Sequence, residues 1–286
     1  VKYCFDDVLQ ISEEDTFLSI LKDVMSESLI HVEKDSIDWN GQYFWRLRGL
    51  DSNQISGPWS NIFTFTTSEK RSEASSILYS DDDYSEGLTI FSSFFDYFTA
   101  IIDKNGQEIW NSEETNIVYY INDNYGQFFG TQFSENESEL SGLEFSLDNE
   151  ILWMETGDSY VHHDFFQLPT GNYLGIIESH QNGPIPEDID PEILALFQMA
   201  GYPTYPTSNS FFFPWVGDKI VEWDQNGTII WEWDTFNNLN WLSDYDLIGG
   251  IWDDAYLQGR HDWTHSNALW FNEFDSSIFL SSRHLS

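Results

Sequence analysis

The sequence predicts an all-β chain, part of an antiparallel sandwich followed by about three blades of a β-propeller. Three observations carry that expectation. Short apolar runs alternate at period two and are separated by Gly, Pro, Asn and Asp turns. A strand–turn–strand phrase ending on tryptophan recurs along the chain. Finally, 41% hydrophobic and 17% aromatic residues in a 286-residue chain suffice for a packed core.

Residues 1–69 alternate in short runs that end in Gln42-Tyr-Phe-Trp-Arg-Leu-Arg-Gly49, the Gly57-Pro58 turn and Asn61-Ile-Phe-Thr-Phe-Thr-Thr67. The last two runs read as paired strands. Their wording resembles the closing strands of a fibronectin type III domain, which implies a partial sandwich whose first strand or two are missing. Residues 70–76 read as a linker, and 77–286 as the N-terminal part of the propeller.

Within that part, the recurring phrase is Ile102-Asp-Lys-Asn-Gly-Gln-Glu-Ile-Trp110, Ser146-Leu-Asp-Asn-Glu-Ile-Leu-Trp153 and Glu222-Trp-Asp-Gln-Asn-Gly-Thr-Ile-Ile-Trp231. Asn and Gly tolerate the positive φ of tight hairpins, so each copy predicts two strands and a turn. Aligned on Asp103, Asp148 and Asp224, the first two copies lie about one blade of 45 residues apart, and the third a blade plus an insertion of about 30 further on. Trp110, Trp153, Trp231 and Trp233 read as blade core. The insertion, 178–216, holds six of the eight prolines. Asp190-Pro191-Glu192 is a helix start, Ile193, Leu194, Leu196, Phe197 and Met199 supply an apolar face, and Gly201 ends it. It reads as a surface elaboration, with a flap over the propeller face as the functional alternative.

Charge is the extreme feature: 49 acidic against 11 basic side chains, for a formal net charge of −38. Such a surface repels nucleic acid and anionic lipid and suits a secreted, periplasmic or extracellular protein. No apolar stretch is long enough for a membrane span. Cys4 is the lone cysteine, which excludes an intrachain disulfide. Asn136-Glu-Ser138 and Asn226-Gly-Thr228 are glycosylation sequons, and Asp81-Asp82-Asp83 reads as a solvated acidic loop rather than a calcium site.

In a chain so poor in cations, their clustering is informative. Six of the seven histidines lie between 162 and 284, together with Arg260 and Arg283. They fall in Val161-His-His-Asp-Phe-Phe-Gln-Leu-Pro-Thr-Gly-Asn-Tyr-Leu174, Arg260-His-Asp-Trp-Thr-His-Ser-Asn-Ala-Leu269 and Ser276-Ser-Ile-Phe-Leu-Ser-Ser-Arg-His284. With the Asp218–Trp233 phrase between them, these motifs resemble, in order, those of the bacterial arylsulfate sulfotransferases. The resemblance implies a small β-sandwich followed by a six-bladed propeller. It also implies transfer of a sulfuryl group from an aryl sulfate ester to a phenol, without phosphoadenosine phosphosulfate or any other cofactor, by way of a sulfated histidine.

Carried over, His265 and Asn267 match the family's "H.N" pair, Arg283 its "SRH" arginine, and His162 or His163 the first motif's histidine. His163, which abuts Asp164, is preferred. The roles implied are Arg283 holding the sulfate, His163 and His265 neutralising oxygens or protonating the leaving phenolate, and His162 and Asn267 binding and orienting. Fixed cationic donors around three anionic oxygens are what sulfuryl transfer requires. The family's sulfated histidine lies downstream of the arginine motif, so a missing C-terminal part is expected. No metal is expected: His162, His163 and His265 could be zinc ligands, but no HExxH motif accompanies them. Two rivals stand beside the enzyme: a non-catalytic ligand-binding propeller, and a structural subunit whose open strand edges pair into a homo-oligomer or fibre.

Overall fold

The computed structural model describes residues 6–26, 31–33, 35–70, 87–94, 97–113, 115–123, 126–133, 140–157, 159–240 and 252–285. Cys4, Asp81-Asp82-Asp83, the Asn136 sequon and most of the 70–76 linker lie outside them. The described chain is all-β, 49% strand and 9% helix, with no helix long and apolar enough to cross a membrane.

The N-terminal strands β1 (Asp6–Ser12), β2 (Lys22–Ser26), β3 (Gln42–Leu50) and β4 (Phe63–Thr66) form one antiparallel sheet in the order β2-β1-β3-β4. The anticipated pair is β3–β4, Gln42 opposite Thr66 and Trp45 opposite Phe63, with stacked rings 4.6 Å apart. Arg46 lies over the Phe17 and Trp59 rings at 4.1 and 4.3 Å, while its guanidinium donates to Gln10 Oε1. Its charge is thus satisfied by π-faces and an amide rather than by a carboxylate.

Antiparallel meanders follow. β5 (Thr89–Ser93), β6 (Phe98–Ile102) and β7 (Glu108–Asn111) make a three-stranded sheet. β8 (Ile117–Asn122), β9 (Phe128–Phe133), β10 (Leu140–Phe145) and β11 (Ile151–Met154) make a four-stranded one. β12 (Val161–Gln167), β13 (Tyr173–Gly183), β14 (Phe213–Trp223) and β15 (Ile229–Asp234) make the next, and β17 (Ser266–Asn272) pairs with β18 (Ser277–Ser282). A short strand, β16 (His261–Asp262), breaks the antiparallel rule by pairing parallel to β14. The chain divides into two compact units, Val1–Phe128 with Phe145–Ile151, and Phe129–Glu144 with Leu152–Ser286.

The recurrent phrase folds as predicted, with one change of register. In the β6–β7 turn Asp103 accepts from the N–H groups of Asn105 and Gln107, and in the β14–β15 turn Asp224 accepts from those of Asn226 and Thr228. The same place in the β10–β11 turn is held by Ser146, whose hydroxyl faces the N–H groups of Asp148 and Glu150. Ser146, not Asp148, is therefore the counterpart of the two aspartates; each is a short side chain that replaces backbone pairing inside a turn.

The tryptophans that close each phrase lie at the edge of the core rather than inside it. Trp110 and Trp153 are half-buried, and each indole N–H reaches across to the turn of the following phrase: Trp110 to the Leu147 carbonyl at 2.6 Å, Trp153 to that of Gln225 at 3.0 Å. Trp231, in the same position of the third phrase, is 41% exposed. Among the described residues, the fully buried indoles are instead Trp215, Trp223 and Trp263.

Strands β13 and β14 run on to Gly183 opposite Phe213, so irregular backbone is confined to 184–212. There the expected helix forms as α1 (Pro191–Met199), capped by Asp190 Oδ1 and ended near Gly201 at φ +86. Its apolar face is narrower than predicted: Phe197 is buried, whereas Leu196 and Met199 are exposed. The insertion packs with α2 (Thr235–Asn238), α3 (Trp252–Gln258), Trp215 and Trp263 into an aromatic core around Phe197. A second core, of Leu168, Leu174, Ile176, Ile220 and Leu269, joins the β12–β15 sheet to the β17–β18 hairpin.

Trp153 stacks on Tyr173 with ring centroids 3.8 Å apart. Replacing it by alanine is expected to destabilise the chain by about 3 kcal/mol, read as a lower urea midpoint; a midpoint unchanged from wild type would remove this contact from the account of the fold.

Candidate functional site

The histidine-bearing segments meet in the second unit, around Asp218 of β14. The side chain of Asp218 is only 4% exposed. Its Oδ2 accepts from the Ser266 N–H at 2.7 Å and from the Thr264 hydroxyl, and its Oδ1 lies 3.1 Å from His162 Nε2. That last contact is short but not aligned as a hydrogen bond. Burial alone would push the Asp218 carboxyl up, but the His162 contact and the Thr264 and Ser266 donors outweigh it and hold it below its ordinary value.

Backbone pairing delivers the other residues. Trp215 and Val216 of β14 pair with His261 and Asp262 of β16, and the Trp263 N–H donates to the Val216 carbonyl. The chain turns through His265 into β17; after β18 it returns so that Arg283 N–H donates to the His265 carbonyl at 3.0 Å and His284 N–H to that of Thr264 at 3.2 Å. Both strands carrying predicted residues bulge where those residues sit, between Val161 and Phe165 and between Ser266 and Ala268. Bulges re-aim side chains out of a sheet's regular alternation. His163 and His265 also have left-handed backbones, φ +64 and +44, a conformation that costs roughly 1–3 kcal/mol outside glycine and recurs at functional sites.

The result is a row of four imidazoles. Ring centroids are 5.1 Å apart for His162–His163, 5.4 Å for His163–His265 and 5.1 Å for His265–His284. The row is anchored at both ends. His162 faces Asp218, His265 Nδ1 contacts the Asp262 carboxylate, and His284 Nδ1 lies 2.8 Å from the Asp262 backbone carbonyl. His163, solvent-exposed in the middle, has its pKa lowered by partial desolvation and by the neighbouring His162 and His265 charges, against which Asp218 and Asp262 pull only partly.

The row joins His162, His163 and His265 of the sequence prediction and adds His284. Asn267, exposed on β17, and Arg283, exposed after β18, adjoin it through the backbone. Asp164 does not serve His163: its Oδ2 accepts from the Leu269 N–H at 2.8 Å, tying β12 to β17. The carboxylate partner is Asp218, and it faces His162. His261 and Arg260 belong elsewhere. His261 is 1% exposed and stacks on Trp252 with centroids 4.1 Å apart; burial, aided by the His284 charge, drops its pKa to about 3. Arg260 faces Glu178 at 3.9 Å.

Asp218 and Asp262 were present in the quoted motifs, at the head of the Asp218–Trp233 phrase and beside His261, but without assigned roles. The signal available was their place at the start of motifs rich in histidine and tryptophan.

Removing one member of a buried ion pair costs about 3 kcal/mol, so Asp218→Ala is expected to lower thermal stability by that order. Because the folded pKa of Asp218 is depressed, its contribution is present above the ordinary value near 3.8 and is lost as pH falls through the folded value. Wild-type stability should therefore fall in acid more steeply than that of Asp218→Asn, compared by thermal melts across that range; parallel pH profiles would contradict the pairing.

No curated protein matches the chain. Residues 188–286, a span that holds Asp218, Asp262, His265, Asn267, Arg283 and His284, match the family model described as arylsulfotransferase (ASST), and the C-terminal third of the chain thus carries an arylsulfotransferase-family domain match.

Proposed function

We propose that the chain takes part in sulfuryl transfer from an aryl sulfate ester to a phenolic acceptor at the imidazole row. The observation that carries this reading is the row itself: four rings at successive spacings near 5 Å, beside Arg283, in a molecule of net charge −38, within and next to the matched span. Elsewhere such a surface repels an organic sulfate, and here it offers cationic and N–H donors.

In the transfer, the S–O bond to the donor's aryl oxygen breaks, a new S–O bond forms, and the leaving phenolate gains the proton that the acceptor phenol gives up. Arg283 holds the sulfuryl oxygens, as its place beside His265 allows. His265, whose Nδ1 contacts a carboxylate, has its other ring nitrogen for the sulfuryl oxygens or the leaving oxygen. His163, held neutral by its surroundings, gains a proton when an anion compensates the charge. His162 is the supporting member, fixed by Asp218, and Asn267 orients the ester. We read the successive meanders as propeller blades, the first two phrases stitched to the following one by the Trp110 and Trp153 hydrogen bonds, and the N-terminal sheet as fibronectin type III-like. The acidic surface fits action outside the cytoplasm.

One observation favours a second reading. Trp231 occupies the stitching position but is exposed, together with Ile229 and Ile230. An apolar strand edge of this kind suits association with another strand set, as in a structural or fibre-forming subunit.

Incubated with 4-nitrophenyl sulfate and phenol, the chain is expected to release 4-nitrophenol and form phenyl sulfate, with a loss of about 100-fold or more in Arg283→Ala. Binding of the aryl sulfate should tighten as pH falls below the ordinary histidine value near 6.5, because His163 must take up a proton to hold it. Full turnover in Arg283→Ala removes that residue from the mechanism; absence of both turnover and pH-dependent binding overturns the enzymatic reading.

A further inference from the structure

The end of the row next to His284 has a second chemistry. Asp262, His265 and His284 each present one donor atom, and the three atoms lie within 4.8 Å of one another. Two imidazoles and a carboxylate are a ligand set for a borderline divalent ion, and an ion about 2.1 Å from each donor would replace the direct Asp262–His265 contact and draw His284 in by side-chain rotation.

Three features show a framework suited to an ion. First, His284 Nδ1 faces a backbone carbonyl, which only accepts, so Nδ1 carries a hydrogen there and Nε2 is the nitrogen that offers a lone pair when the ring is neutral. A ring N–H donated to a carbonyl is the usual outer support of a metal-bound histidine. Second, the backbone holds all three residues: Asp262 is paired to Val216, the His265 carbonyl accepts from Arg283 N–H, and His284 N–H donates to Thr264. Third, all three are partly exposed, so an ion can enter without local unfolding.

The geometry points to a site for a divalent transition ion of the zinc class at Asp262, His265 and His284. The imidazoles select it against calcium and magnesium, which prefer all-oxygen shells. The strongly acidic surface draws cations toward it. With three protein ligands, a fourth position stays open to water or an anion. His265 serves both the ion and the proposed ester site, so bound zinc withdraws that ring from the aryl sulfate and slows transfer. This consequence rests on the sulfuryl-transfer reading, whereas the ion site does not.

The test is calorimetric titration of the whole chain with zinc chloride, in excess calcium chloride to occupy surface carboxylates. One site per chain is expected, weakened at least tenfold in His284→Ala and in Asp262→Ala and unchanged in His180→Ala, each variant checked by circular dichroism. Zinc-edge X-ray absorption of the wild-type complex supplies a measurement that needs no variant, and should show two imidazoles in the shell. Equal zinc affinity in His284→Ala, displacement of zinc by calcium, or an all-oxygen shell without imidazole would each overturn the site. Zinc binding with no effect on aryl sulfate turnover or binding would leave the ion site standing and remove only its link to transfer.

Discussion

A buried carboxylate needs compensation, and the arrangement around Asp218 follows from how it gets it. The residue sits inside β14, almost without exposure, and its two oxygens draw on two separated parts of the chain: His162 from β12, and Thr264 with Ser266 from the turn into β17. Each contact is worth little alone. Together they convert the desolvation cost of one charge into a constraint on where two histidine-bearing segments lie. The bulges at 161–165 and 266–268 then turn His163 and Asn267 out of the regular strand alternation beside that anchor.

Asp262 plays the corresponding part at the other end, with its side chain on His265 and its backbone carbonyl on His284. Two carboxylates thus flank a row in which the inner ring His163 has no carboxylate contact of its own among the described residues. The outer rings keep nearby negative charge while the central ring is pushed toward neutrality. An oxyanion arriving at the middle supplies the missing charge, so anion binding and proton uptake are coupled there.

Much of the local structure was legible in the sequence because its causes are local. Asp and Asn–Gly turns, the Asp190 cap, Gly201, and the pairing of 42–49 with 61–67 all depend on residues within a few positions or on simple alternation. What was hidden depends on long-range pairing. The parallel contact of β16 with β14 has no periodic signature, yet it sets the segment carrying Asp262 and Ser266 beside the strand that carries Asp218, and the backbone bonds of Arg283 and His284 to His265 and Thr264 bring His284 to Asp262. Adjacency in sequence suggested Asp164 as the partner of His163, but the carboxylate instead accepts from the Leu269 N–H across to β17. The tryptophans misled for a related reason. An indole at a hairpin edge can bury one face and spend its N–H on a neighbouring turn, so recurrence signals stitching as readily as core.

The coupling at His163 can be measured directly by nitrogen-15 NMR of histidine-labelled protein, titrated over pH with and without inorganic sulfate. The account predicts that the His163 ring titrates below the ordinary histidine range in the free protein and moves upward when sulfate binds. A His163 ring that titrates normally and ignores sulfate would contradict it.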